Sequence, residues 1–66
     1  MANKRVRLTI LLNAEALLFK RLSRVTVWTP ESARIAVALN KLHGHIDNSV
    51  YEIPEDEWEE LKELSY

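Results

Sequence analysis

Apolar and polar positions alternate at the start of the chain. In residues 5–12 every second side chain is apolar and suits a protein core, namely Val6, Leu8, Ile10 and Leu12. The intervening positions form the other face of an extended strand and are Arg5, Arg7, Thr9 and Leu11. The pattern predicts a β-strand over residues 5–12. Because an isolated strand leaves half of its backbone groups unpaired, we expect this strand to pair with the same strand of a second copy.

A helical period follows the predicted strand. Asn13 is a suitable N-cap, and Leu18, Leu22 and Val25 then recur at the spacing of one helix face. This pattern predicts a first helix over about residues 14–24. The segment Val25–Trp28 is rich in β-branched and aromatic residues, so it suits either a strand or the end of the helix.

The second helix has the clearest start signal in the sequence. Thr29 supplies a hydroxyl cap and Pro30 occupies the first helical position, so we expect a helix from Pro30 to about His43. Gly44, the only glycine, is placed to end this helix in the left-handed conformation.

The carboxyl end predicts a short strand and a last helix. Val50–Ile53 suits the strand, and Pro54 opens a helix over Glu55–Leu64. Its acidic residues repel one another at the spacing of one helical turn, so this short helix needs to dock on the body or on a partner. The apolar residues that would dock are Trp58, Leu61 and Leu64.

Length and composition restrict how the chain gains stability. A chain of 66 residues forms one small core, and without cysteine it has neither disulfides nor thiolate metal ligands. Oligomerisation is therefore the favoured aid to stability. Since no apolar run approaches the roughly 18 residues that span a bilayer, and no export signal is recognisable, we expect no membrane contact and a cytoplasmic location.

The charges divide the chain into two parts. Residues 1–44 carry a net charge of +6 and residues 45–66 carry −7, which together give the overall −1. This asymmetry predicts a basic body that meets a polyanion, and an acidic carboxyl extension with another role.

Catalytic and metal sites are not indicated. No nucleophile triad or phosphate loop is recognisable, so we expect no enzymatic activity and no cofactor. His43 and His45 flank Gly44, and this arrangement is more typical of a cationic helix end than of a metal site.

The order of a basic strand, a helix, a short link and an alanine-rich helix is similar to that of a known protein family. Lys4–Ile10, joined at the right separation to Ser32–Leu39, resembles the ribbon–helix–helix DNA-binding repressors of the Arc/MetJ/CopG type over about residues 4–43. The resemblance implies an α+β homodimer whose first strands pair antiparallel and enter the major groove of double-stranded DNA.

The resemblance also assigns roles to residues. It implies base contacts from Arg7, Thr9 and Leu11 and phosphate contacts from Lys4, Arg5, Thr29 and Ser32. The domains would then be residues 1–44, which bind DNA, and residues 45–66, an acidic extension. The implied function is a sequence-specific transcriptional repressor, antitoxin-like in that Trp58, Leu61 and Leu64 of the extension contact a protein partner.

A second interpretation keeps the chain monomeric. If Val25–Trp28 and Val50–Ile53 are both strands, the order is βαβαβα. The chain would then be a small protein-interaction or inhibitor module whose acidic carboxyl half imitates a nucleic acid.

Overall fold

The computed structural model, which describes residues 2–66, contains a two-stranded antiparallel sheet and three helices. The α+β class is therefore confirmed. In chain order the elements are β1 (Asn3–Arg5), α1 (Leu8–Ser23), α2 (Pro30–Asp47), β2 (Glu52–Pro54) and α3 (Glu55–Ser65).

The first strand is shorter than predicted and has its partner within the same chain. β1 pairs with β2 in a register that places Lys4 opposite Ile53 and Arg5 opposite Glu52. The pairing continues past the strand ends, where the Val6 N–H donates to the carbonyl of Tyr51 over 2.9 Å. The sheet therefore joins the first and last parts of the fold. The backbone groups along one edge of β1 have hydrogen-bond partners in β2 and need no second copy.

The prediction of a strand over residues 5–12 is wrong from Leu8 onward. Arg7 is the last extended residue, with φ −67° and ψ 145°, and α1 begins directly after it. Residues 8–12 are apolar at almost every position, so they satisfy the helical period as well as the strand period. The helix is the outcome because it buries Leu11, Ala14 and Leu18, spaced three and four residues apart, on one face.

The α1–α2 connection is irregular. Val25–Trp28 forms neither a strand nor a helix, so the βαβαβα alternative lacks its middle strand. The start of α2 at Pro30 is confirmed, with Thr29 as its N-cap. This start is specified locally by a hydroxyl cap and a fixed proline φ.

The end of α2 differs from the prediction. The helix continues through Gly44 to Asp47, and the residue with positive φ is Ser49, at 56°. Gly44 is therefore an interior helical residue, and the predicted domain boundary between residues 44 and 45 falls within α2.

The carboxyl-terminal part belongs to the same core as the rest of the chain. The predicted strand and last helix are both present, as β2 and α3. α3 docks on the body, because its apolar side chains join a single cluster that α1, α2, β2 and α3 build together with Val6, which follows β1. The least exposed large side chains of this cluster are Leu11, Leu18, Leu42, Ile53 and Leu61.

Candidate interaction surface

The three residues predicted to contact bases do not lie on one strand face. Arg7 is exposed at the N-cap of α1, and Thr9 is exposed in its first turn. Leu11 is fully buried in the core. The prediction that Leu11 faces outward is therefore wrong. In a strand Leu11 would share the outer face with Arg7 and Thr9, but in the helix it lies on the buried face.

Lys4 and Arg5, predicted to contact phosphates, are exposed on β1 but have acidic neighbours. Arg5 lies opposite Glu52 in the sheet register. A hydrogen bond from Lys62 lowers the pKa of Glu59, and Lys4 acts on that carboxyl in the same direction. This end of the molecule is therefore mixed in charge, whereas the sequence pattern predicted a basic ridge.

The other two predicted phosphate contacts are Thr29 and Ser32. They form hydrogen bonds with each other. The Ser32 N–H donates to Thr29 Oγ1 over 3.2 Å, and the Thr29 N–H donates to Ser32 Oγ over 2.8 Å. Ser32 is also buried, at 3% exposure. This capping box satisfies the N–H groups of Thr29 and Ser32, which an anion at the start of α2 would otherwise use.

The residues predicted to contact a protein partner from the tail are in the core. Trp58, Leu61 and Leu64 are exposed by only 4%, 1% and 6%. They form the inner face of α3, and its outer face carries the acidic residues. As placed here, they stabilise the chain itself and are not available to a partner.

The structure reveals an apolar surface that the sequence interpretation missed, on the outer side of α1. Leu8, Leu12 and Phe19 are exposed by 39%, 45% and 55%. Their spacing of four and seven residues places them in one row along the helix, and the exposed Ala16 lies beside that row. We call these four residues the α1 stripe. The signal was present as helical spacing, but the strand interpretation assigned Leu8 and Leu12 to the core.

Uncharged and cationic side chains border the α1 stripe. Thr9, Asn13 and Lys20 follow the same spacing one row further round the helix, and Arg24 lies one turn beyond Lys20. The connection after α1 adds two more exposed apolar side chains, Val27 at 70% and Trp28 at 66%.

His43 connects the other border of the α1 stripe to α2. Its Nδ1 lies 3.1 Å from Oε2 of Glu15 on α1, and its Nε2 lies 3.1 Å from Oδ2 of Asp47. The hydrogen bond with Glu15, followed by the negative charge of Asp47, raises the pKa of His43 above its ordinary value of 6.5. An imidazole donates from both nitrogens only when it is protonated, so this geometry fits the cation.

The second histidine connects α2 to α3. His45 Nε2 lies 3.2 Å from Oε1 of Glu57, in a partly buried pair. Further along the same two helices, Arg34 and Glu60 form an exposed ion pair of 3.3 Å beside a shallow apolar groove of about 230 Å³. These pairs hold α3 against α2 at its polar edge.

Two kinds of site, a metal-binding cluster and a membrane-spanning helix, are absent from the part of the chain that the structure describes. Residues 2–66 contain no group of three or more His, Asp or Glu side chains arranged to hold a metal ion. None of the helices described above is both long enough and apolar enough to cross a bilayer.

Comparison with known proteins does not assign the chain to a family. No family model, no curated protein and no solved structure matches it.

Proposed function

We propose that this chain is a small protein-interaction module that binds a helical segment of another protein on the α1 stripe. The observation that carries the proposal is the exposed row of Leu8, Leu12 and Phe19 on a helix whose other apolar face already fills the core. A contiguous exposed apolar surface of this kind is typical of a contact site. A helix that lies along such a row is a common form of protein recognition.

The shape of α1 suits this mode of binding. Its 16 residues give a platform about 24 Å long at about 1.5 Å per residue. The small side chain of Ala16 beside the row lets a partner helix approach closely between Leu12 and Phe19. Phe19 is the largest member and is more exposed than Leu8 and Leu12, so it is the expected anchor of the contact.

A synthetic amphipathic peptide tests the proposal. The probe is a fluorescein-labelled helix with leucine on one face and glutamine elsewhere, titrated by fluorescence anisotropy. We expect binding that Phe19→Ala weakens about tenfold, the loss that removal of a central aromatic anchor typically causes. Val37→Ala is the matched control, because Val37 is exposed to the same degree, 54%, on α2.

Three results would contradict the proposal. The first is no binding of the peptide, and the second is equal affinity of the peptide for the Phe19→Ala and Val37→Ala variants. The third is a native chain that sediments as a dimer and becomes monomeric in Phe19→Ala, because a second copy would then occupy the α1 stripe.

A second candidate function is binding of double-stranded DNA by exposed cations, as the sequence resemblance implied. The observation that favours it is a set of six exposed cationic side chains that form no ion pair within residues 2–66. These are Lys4, Arg5, Arg7, Lys20, Arg21 and Arg24. The proposed contact does not depend on a strand ribbon, because α1 begins at Leu8.

DNA binding has its own test. Titration of duplex DNA over a range of salt concentrations should show affinity that falls steeply with salt. Arg7→Ala should reduce sequence preference, and Lys4→Ala should weaken all sequences about equally. An affinity that does not change with salt would exclude this function.

A further inference from the structure

Resting on the proposed function, we infer that the partner of the α1 stripe is an acidic amphipathic helix, whose apolar face meets Leu8, Leu12 and Phe19 and whose carboxylates meet Lys20 and Arg24. The inference depends on how charge is distributed around α1. From Arg7 to Trp28 the chain carries four cationic side chains, and its single carboxylate is Glu15. An apolar row with a cationic border is complementary to an apolar row with an acidic border.

Glu15 is the one residue that would oppose an acidic partner, and the structure neutralises it. Its carboxylate is paired with His43 from α2, and its side chain is only 20% exposed. The charged groups that face His43 are Glu15 from α1 and Asp47 from α2 itself, so the imidazolium bridges two carboxylates. With His43 protonated, Glu15 is paired with a cation, and the group of His43, Glu15 and Asp47 keeps a single net negative charge. The four cationic side chains from Arg7 to Trp28 outnumber that charge.

A second copy of this chain does not supply the required partner. Its acidic helix is α3, but the apolar side chains of α3 are buried in its own core and its outer face is polar. A pair of α1 helices would place apolar rows together, but it would also bring cationic borders together, and the carboxylate of α1, Glu15, is already paired with His43. Charge complementarity therefore favours a segment of another protein.

Three peptides with one apolar pattern test the inference. They carry leucine on the same face and differ only in the flanking residues, which are glutamate, glutamine or lysine. At low ionic strength we expect the glutamate peptide to bind about tenfold tighter than the glutamine peptide, and the lysine peptide weakest. Raising the ionic strength from about 0.01 M to about 1 M should remove most of this preference, because it shortens the screening length about tenfold.

Charge reversal identifies the residues responsible. Lys20→Glu combined with Arg24→Glu should invert the order, so that the lysine peptide binds tightest. Lys41→Glu is the matched control, because Lys41 is an exposed lysine on α2 without an ion pair among the described residues. Circular dichroism checks that each variant keeps its helices.

The pH gives a third readout. Raising the pH until His43 is neutral leaves Glu15 uncompensated, so we expect binding of the glutamate peptide to weaken while binding of the glutamine peptide stays constant. His43→Ala should remove this difference in pH dependence.

Each failure has a separate meaning. If the three peptides bind equally, and all lose affinity in Phe19→Ala, the interaction function stands and the acidic partner is wrong. If none binds, both proposals fail. If a short DNA duplex binds tightly, depends on Lys20 and Arg24 and is unaffected by Phe19→Ala, the cations serve a nucleic acid, and the acidic helix is again the wrong partner.

Discussion

α1 and α3 are both amphipathic, but they use their apolar residues differently. α3 buries every large apolar side chain that it carries and exposes only polar ones. α1 buries one row, Leu11, Ala14 and Leu18, and exposes a second row on its outer side. α3 therefore contains the apolar surface that the fold requires, whereas α1 contains more. The excess on α1 is apolar surface that the core does not use.

The largest expected effect is a difference in stability between alanine substitutions at two adjacent residues of α1. Leu11→Ala should lower the free energy of unfolding by about 2–5 kcal/mol, because it leaves a cavity in the core. Leu12→Ala should change it by less than about 1 kcal/mol, because Leu12 is 45% exposed. Urea denaturation measures both. The reverse order would mean that residues 5–12 form the strand that their alternation suggested.

The same contrast applies between the two helices. Leu61→Ala on α3 should also cost about 2–5 kcal/mol of stability, since Leu61 is 1% exposed. Phe19→Ala on α1 should leave stability nearly unchanged while it weakens peptide binding about tenfold. A strong destabilisation by Phe19→Ala in thermal denaturation would show that the α1 stripe is structural.

The capping box at the start of α2 has an intermediate effect. Thr29→Ala removes the acceptor of the Ser32 N–H and should lower stability by about 0.5–2 kcal/mol. If Thr29 instead serves a phosphate, the substitution should leave unfolding unaffected and weaken DNA binding. Denaturation and DNA titration of one variant therefore distinguish the two roles.

Gly44 tests whether α2 continues past the predicted end. An added Cβ at this position meets no atom within 4 Å, and the residue is helical. Gly44→Ala should therefore raise stability by about 0.5–1 kcal/mol. A loss of stability in calorimetry would indicate that Gly44 adopts the left-handed conformation after all.

The smallest effect is the pH dependence of the bridge between α1 and α2. Because the pKa of His43 is raised in the folded chain, its contribution to stability is complete below the ordinary value of 6.5. That contribution is lost as the pH rises through the higher folded value. NMR titration of His43, compared between the native chain and Glu15→Gln, should show the pKa fall in the variant. An unchanged value would exclude Glu15 as the main cause.

The sequence predicted those elements that local signals specify. Thr29 and Pro30 fixed the start of α2, and Pro54 with the acidic turn after it marked α3. The interpretation failed where two periods fit equally well, in residues 8–12, because packing against Leu18 and its neighbours decides between them. It also failed at Gly44, because residues beyond the glycine have tertiary contacts that a helix ending there would lose: Ile46 packs against the core and His45 pairs with Glu57.

The candidate surface was harder to predict than the fold. Exposure is a property of the finished packing, so no single position of the sequence announces that Phe19 lies outside while Leu18 lies inside. An apolar row such as Trp58, Leu61 and Leu64 looks the same in the sequence whether it docks a partner or packs in the core. Only the burial of these side chains shows that they pack in the core of this chain.

The closure of β1 on β2 has a consequence for synthesis. β1 lies opposite β2, with Arg5 in register with Glu52, so a chain that leaves the ribosome residue by residue contains β1 long before its partner strand exists. During that interval the N–H and C=O groups of residues 3–5 are hydrated, and α1 and α2 have only each other to cover their apolar faces. Release of residues 52–65 then supplies the strand and the helix together, so the core is completed in one late step.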